Sequence, residues 1–83
     1  MAHFAQIDPN TNLVLRVITI SNDVTYDDQN VEHEERGIEL CQQLYGADTV
    51  WKQTSYHGSF RGCYAGIYFL YDPERDEFIP PTA

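Results

Sequence analysis

The chain has 83 residues, 42% of them apolar and 22% charged, and thirteen acids against five Lys or Arg give a net charge of −8. That length holds one domain, residues 1–83, and buries only about 60% of the unfolded surface, so the core leans on some further contact. The acidic balance argues against a protein that neutralises nucleic acid phosphate, and no stretch approaches the ~20 apolar residues of a membrane span.

In chain order, residues 2–7 alternate as a strand does, with Ala2, Phe4 and Gln6 on one face and Ala5 and Ile7 on the other. Asp8-Pro9-Asn10-Thr11-Asn12 follows. Proline presets φ and the Asp and Asn side chains cap local amides, so this reads as a turn. Residues 13–20, LVLRVITI, are rich in β-branched side chains and predict a central strand buried on both faces, hairpinned to the first. Arg16 interrupts it and is expected near an end or under a carboxylate.

Residues 21–30 are polar and predict a loop. Asn30 is the expected N-cap of a helix over 31–45, with acids behind it to suit the dipole. Val31, Ile38, Cys41, Leu44 and Tyr45 share one stripe at helical spacing, and Gly37 lies on it. A glycine there costs about 1 kcal/mol against alanine, which points to a close approach to the sheet. Gly46 is the expected C-terminal cap. Glu32, Glu35 and Glu39 fall on the outer face.

The stretch from Thr49 to Pro81 organises the rest. Between Trp51 and Tyr71 lie seven of the chain's eleven aromatic residues and no acid. Residues 49–56 predict a strand, 57–62 (HGSFRG) a glycine-bounded loop, and 63–71 the most apolar strand of all. Asp72-Pro73-Glu74-Arg75-Asp76 predicts a second turn. It shares the pattern apolar-Asp-Pro-x-x-(Asn/Asp)-x-apolar with the first. Glu77-Phe78-Ile79 returns as a short strand that Pro80 and Pro81 end. The expected architecture is α+β: an antiparallel sheet of four to five strands, in the order β-β-α-β-β-β, with one helix on one face. The other face is then left with aromatics that a lone helix does not cover, which is the physical reason to expect self-association.

The opening MAHFAQID, the WKQTSY run at 51–56, Arg61 with Tyr64-Ala65-Gly66-Ile67, and Tyr71-Asp72 through Phe78-Ile79-Pro80-Pro81 together resemble a small domain of marine T4-like bacteriophages, the cyanophages. The likeness spans nearly the whole chain and is weakest in the acidic loop and helix. Longer relatives continue past the double proline, whereas this sequence ends at Pro81-Thr82-Ala83. The resemblance implies a phage-encoded protein, in the host cytoplasm during infection or in the virion, and it implies no chemistry.

The residues themselves suggest none either. His3, His33 and His57 fall on separate elements and set up no zinc spacing. Cys41 and Cys63 read as buried thiols, with a single disulfide as the alternative. The acids read as a solvated face, and the second turn lacks the ligand spacing of a calcium loop. No nucleophile–base pair or cofactor loop is legible, so the expectation is a non-enzymatic protein without metal, cofactor or small-molecule substrate. The best interaction candidates are Trp51, Tyr56, His57, Phe60, Arg61, Tyr64 and Tyr68, because Tyr, Trp and Arg are favoured interface anchors. The primary reading is a structural or protein-interaction module, a homo-oligomer that also meets other phage structural proteins. The alternative is an acidic protein that binds a host factor by mimicking nucleic acid charge. It rests on seven acids between Asp23 and Glu39 that only Arg36 opposes.

Overall fold

The computed structural model describes residues 1–82. Its elements are β1 (Ala2–Ile7), β2 (Val14–Ile20), α1 (Asn22–Thr25), α2 (Glu34–Tyr45), β3 (Val50–Thr54), β4 (Leu70–Asp72) and β5 (Glu77–Ile79). The α+β class is as expected, with a helix on one face of an antiparallel sheet. The strands, however, form two sheets rather than one: a three-stranded sheet ordered β2-β1-β3 and a separate β4-β5 hairpin. A single turn of helix, α1, also stands in the expected polar loop, started by Ser21, whose Oγ accepts the Asp23 N–H.

The first hairpin forms as the sequence predicts. Asp8 Oδ1 accepts the N–H groups of Asn10 and Thr11 at 2.8 and 3.3 Å, and Asn12 closes the turn at φ 62. A bulge follows, because Gln6 pairs with Arg16 while Ile7 pairs with Val14, and Leu15 is squeezed out to 44% exposure. The central strand is β1, not β2. β1 pairs with β2 on one side and with β3 on the other, so residues 13–20 lie at an edge. Arg16 sits there over the Tyr45 ring at 4.9 Å, and among the described residues no carboxylate pairs with it.

Both faces of this sheet are covered by the chain itself. Ala2, Phe4, Ile20 and Trp51 pack under α2 with Cys41, joined by Ile38, Leu40 and Val24. Ala5, Ile7 and Val14 pack on the opposite side with Ala65, Tyr71 and Phe78. The expectation of a sheet face left bare is therefore corrected: the second hairpin and the segment before it lie over that face. Cys41 and Cys63 belong to these two different layers, with the sheet between them, and both are free thiols.

α2 begins three residues later than expected. Asp27 Oδ1 takes the amides of Gln29 and Val31, Asn30 turns at φ 65, and Tyr26 bridges to Glu32, so the chain stays bent through 27–32. Asn30 is thus a turn residue, and His33 occupies the cap position without a capping side-chain hydrogen bond. Of the predicted stripe, Gly37 and Cys41 are buried, whereas Val31 and Leu44 face solvent. Gly37 does mark the close approach: a Cβ there would overlap the Phe4 ring. Gly46 ends the helix at φ 129.

Residues 63–71 do not make the expected strand. Tyr68 adopts positive φ (70), which no continuous strand allows, and Gly58, Arg61 and Gly62 in the loop before it do the same (67, 55 and 84). The segment 55–69 is instead an irregular layer. Thr54 Oγ1 anchors it by accepting the Ala65 N–H at 2.9 Å. Only Leu70–Asp72 becomes β4, pairing with β5 through a turn that copies the first: Asp72 Oδ1 accepts from Glu74 and Arg75, and Asp76 closes at φ 53.

Candidate functional site

Three groups of residues stand out, and the seven sequence candidates divide among them and the core. Trp51 is in the core, 2% exposed, with Tyr45 against it at 5.2 Å and its Nε1–H donated to Thr49 Oγ1. It offers nothing to a partner.

Arg61 is turned inward too. Its left-handed backbone aims the guanidinium along the β3 edge. There Nη1 donates to Glu34 Oε2 at 2.5 Å and to the Gln53 carbonyl at 2.8 Å, and Nε donates to Asp76 Oδ1 at 2.8 Å. The Tyr71 hydroxyl donates to the same Asp76 oxygen at 2.5 Å. Burial alone would raise the Glu34 pKa, but the hydrogen bonds from Arg61 and the Gln53 amide, with the charge of Arg61, hold it below the ordinary carboxylate value. The Tyr71 phenol and then Arg61 depress Asp76 likewise. Burial first, and the Asp76 carboxylate second, push Tyr71 up to about 12. Arg61 is therefore a clamp between α2, β3 and the second hairpin rather than a surface anchor.

Tyr56, His57 and Tyr64 do come together, at the end of the sheet where β1 begins. His3 stacks on Tyr56 with ring centroids 5.5 Å apart, and Tyr64 and His57 meet the Tyr56 ring edge-on at 5.3 and 5.4 Å. Phe60 lines a cleft of about 350 Å³ with Tyr56, His57 and His3. Burial, then the nearby α-amino charge, lowers the His3 pKa. Two histidines that look scattered in the sequence thus share one tyrosine, while His33 lies apart, 2.8 Å from Asp27. Among the described residues no group of three or more His, Cys, Asp or Glu could hold a metal ion. No helix among them is long and apolar enough to cross a membrane.

Tyr68 belongs to a third place. It is 72% exposed, and its N–H is tied to the Val14 carbonyl at 3.0 Å. Ile67 precedes it. Leu70 bridges to Leu13 and pairs with Ile79, and Leu15 bulges out of the strand alongside. Leu15, Ile67, Leu70 and Ile79 are all more than a third exposed. Sequence reasoning missed this patch because it assigned 63–71 to one continuous strand. Gly66 was the available signal against that, since glycine weakens a strand interior. No family model, curated protein or solved structure matches the chain.

Proposed function

We propose that the protein works by contact, as a small self-associating module that pairs with further copies of itself and with other subunits of a phage-encoded assembly. One observation carries this reading: Tyr68, a bulky aromatic, is held at φ 70 and points into solvent beside the exposed Ile67, Leu70, Leu15 and Ile79. Few non-glycine residues adopt that backbone region, and strain kept at a surface aromatic is a mark of use. A contiguous apolar patch on a chain of this size is the usual sign of a partner. The likeness to the cyanophage domain supports a virion or its assembly as the setting, and mass spectrometry of purified particles checks it. In this reading the side chains act as a surface and no chemical step is assigned.

The alternative, an acidic mimic of nucleic acid, has less to draw on. Asp27, Glu32 and Glu34 spend their oxygens on loop amides, Gln53 and Arg61.

Tyr68→Gly separates contact from folding. Glycine accepts φ 70 without steric cost, so the variant keeps the stability of the parent while losing the ring. Sedimentation should show the parent growing beyond its 9.6 kDa chain mass as concentration rises, and Tyr68→Gly lagging behind. A parent that stays at single-chain mass throughout, or a variant that associates equally well, refutes the reading.

A further inference from the structure

Sheet edges carry unpaired N–H and C=O groups, and folded proteins cover or blunt them. The two edges of the β2-β1-β3 sheet are treated differently. Along β3, Gln42 Nε2 donates to the Thr49 carbonyl, Glu34 Oε2 accepts the Gln53 N–H, and Arg61 donates to the Gln53 carbonyl. Along β2 only the start is covered, where the Val14 N–H reaches the Phe69 carbonyl and the Val14 carbonyl accepts from Tyr68. From Leu15 to Thr19 no other part of the described chain bonds to the outer edge.

Register tells which groups wait there. Gln53 turns both main-chain groups away from β1, since Glu34 and Arg61 take them. Alternate pairs of an antiparallel ladder exchange hydrogen bonds. Phe4, opposite Gln53, therefore bonds across to Ile18, while Ala5 and His3 bond to β3. Their β2 neighbours, Val17 and Thr19, are left with N–H and C=O pointing outward. Residues 13–20 hold no acid and a single base, on a chain whose net charge is −8. A second copy brought edge to edge thus meets no carboxylate on that strand.

We infer that two copies join through their β2 edges, antiparallel about a two-fold axis at Ile18, into one continuous sheet with β2, β1 and β3 from each. This rests on the contact reading above and supplies its geometry. In that register Val17 of each copy pairs with Thr19 of the other, and Arg16 faces Ile20 rather than a second arginine. Segment 68–70 blocks pairing beyond Val14, so Tyr68 and Leu70 flank the end of the added strand. The β3 edge, with Gln53 and Thr49 taken by Glu34, Arg61 and Gln42, offers no run of free groups to a further strand, and a two-fold contact of this kind closes on itself.

Amide hydrogen exchange, read residue by residue at low and high concentration beside the native mass, tests the inference. Where the mass is twice 9.6 kDa, the Val17 and Thr19 amides should exchange about ten-fold or more slower than in dilute solution. The Gln53 amide, already bonded, should not change. Thr19→Pro removes one outward N–H and no internal bond, so it should fold and stay at single-chain mass. Thr19→Lys, which places a charge on the edge, gives the same readout should the proline variant fail to fold. A doubled mass with Val17 and Thr19 exchanging freely overturns the edge pairing and leaves the contact reading intact. A single-chain mass at every concentration overturns both.

Discussion

On one face of the β2-β1-β3 sheet, Gly37 of α2 rests against the Phe4 ring, and Trp51 packs with Tyr45 close by. On the other, Tyr71 and Phe78 of the second hairpin lie over Ala5, Ile7 and Val14. The first layer is a regular helix that meets the sheet face by shape, through a missing side chain, with Glu34 and Gln42 bonding to the β3 edge. The second has strands of only three residues and an irregular lead-in, too little regular structure to lie flat unaided. It is tied down at points: Ala65 to Thr54, and Arg61 to Glu34 and Asp76. The difference shows how a chain this small closes two faces. One cover is packed, the other is pinned, and Arg61 straddles the β3 edge to join them.

Breaking the packed cover has the largest expected effect. Gly37→Leu would drive a side chain into Phe4, which is fully buried. The loss should reach about 3 kcal/mol, the upper end of overpacking costs, and denaturant unfolding should show it as a lower midpoint for the whole chain. Arg61→Met attacks the pinned cover. It keeps the stem and leaves Glu34 and Asp76 without their cation. Because Asp76 is over half exposed, the expected loss is smaller, roughly 1–2 kcal/mol. Its signature is local: amides of 55–72 should exchange faster while those of α2 hold. A uniform loss of protection would mean that Arg61 is no boundary between the two layers.

The packed half was largely legible in the sequence. Gly37 on an apolar stripe announced the close approach, and the paired Asp-Pro patterns announced two turns that share one geometry. Of the pinned half only the second turn and the short strand after it were legible. Its apolar run looked like a strand, because periodicity cannot register that Tyr68 sits at positive φ. Arg61 looked like a surface anchor because its partners, Glu34 and Asp76, stand 27 and 15 residues away. The Tyr56, His57 and Tyr64 group was visible as neighbours in sequence. His3 joins it only once the pairing of His3 with Thr54 sets the register.

The smallest effect is a graded response to pH, and it sharpens the same contrast. Glu34 and Asp76 have folded pKa values below their unfolded ones. The stability they contribute is therefore complete above the ordinary carboxylate range near pH 4 and is lost as pH falls through the depressed values. Tyr71 runs the other way. Its value is raised to about 12, so its contribution is present below the phenol's ordinary pKa of 10 and fades as pH climbs toward 12. All three groups belong to the Arg61 clamp. Residues of the pinned layer should lose exchange protection first at both extremes, while the Phe4, Cys41 and Trp51 core, built of apolar side chains, holds longer. Arg61→Met should flatten the acid limb, because Glu34 and Asp76 no longer have a cation to lose. An acid limb as steep in that variant as in the parent would assign the response to other carboxylates. Asp27 is the nearest candidate, held to about 2 first by His33 and then by the Val31 amide.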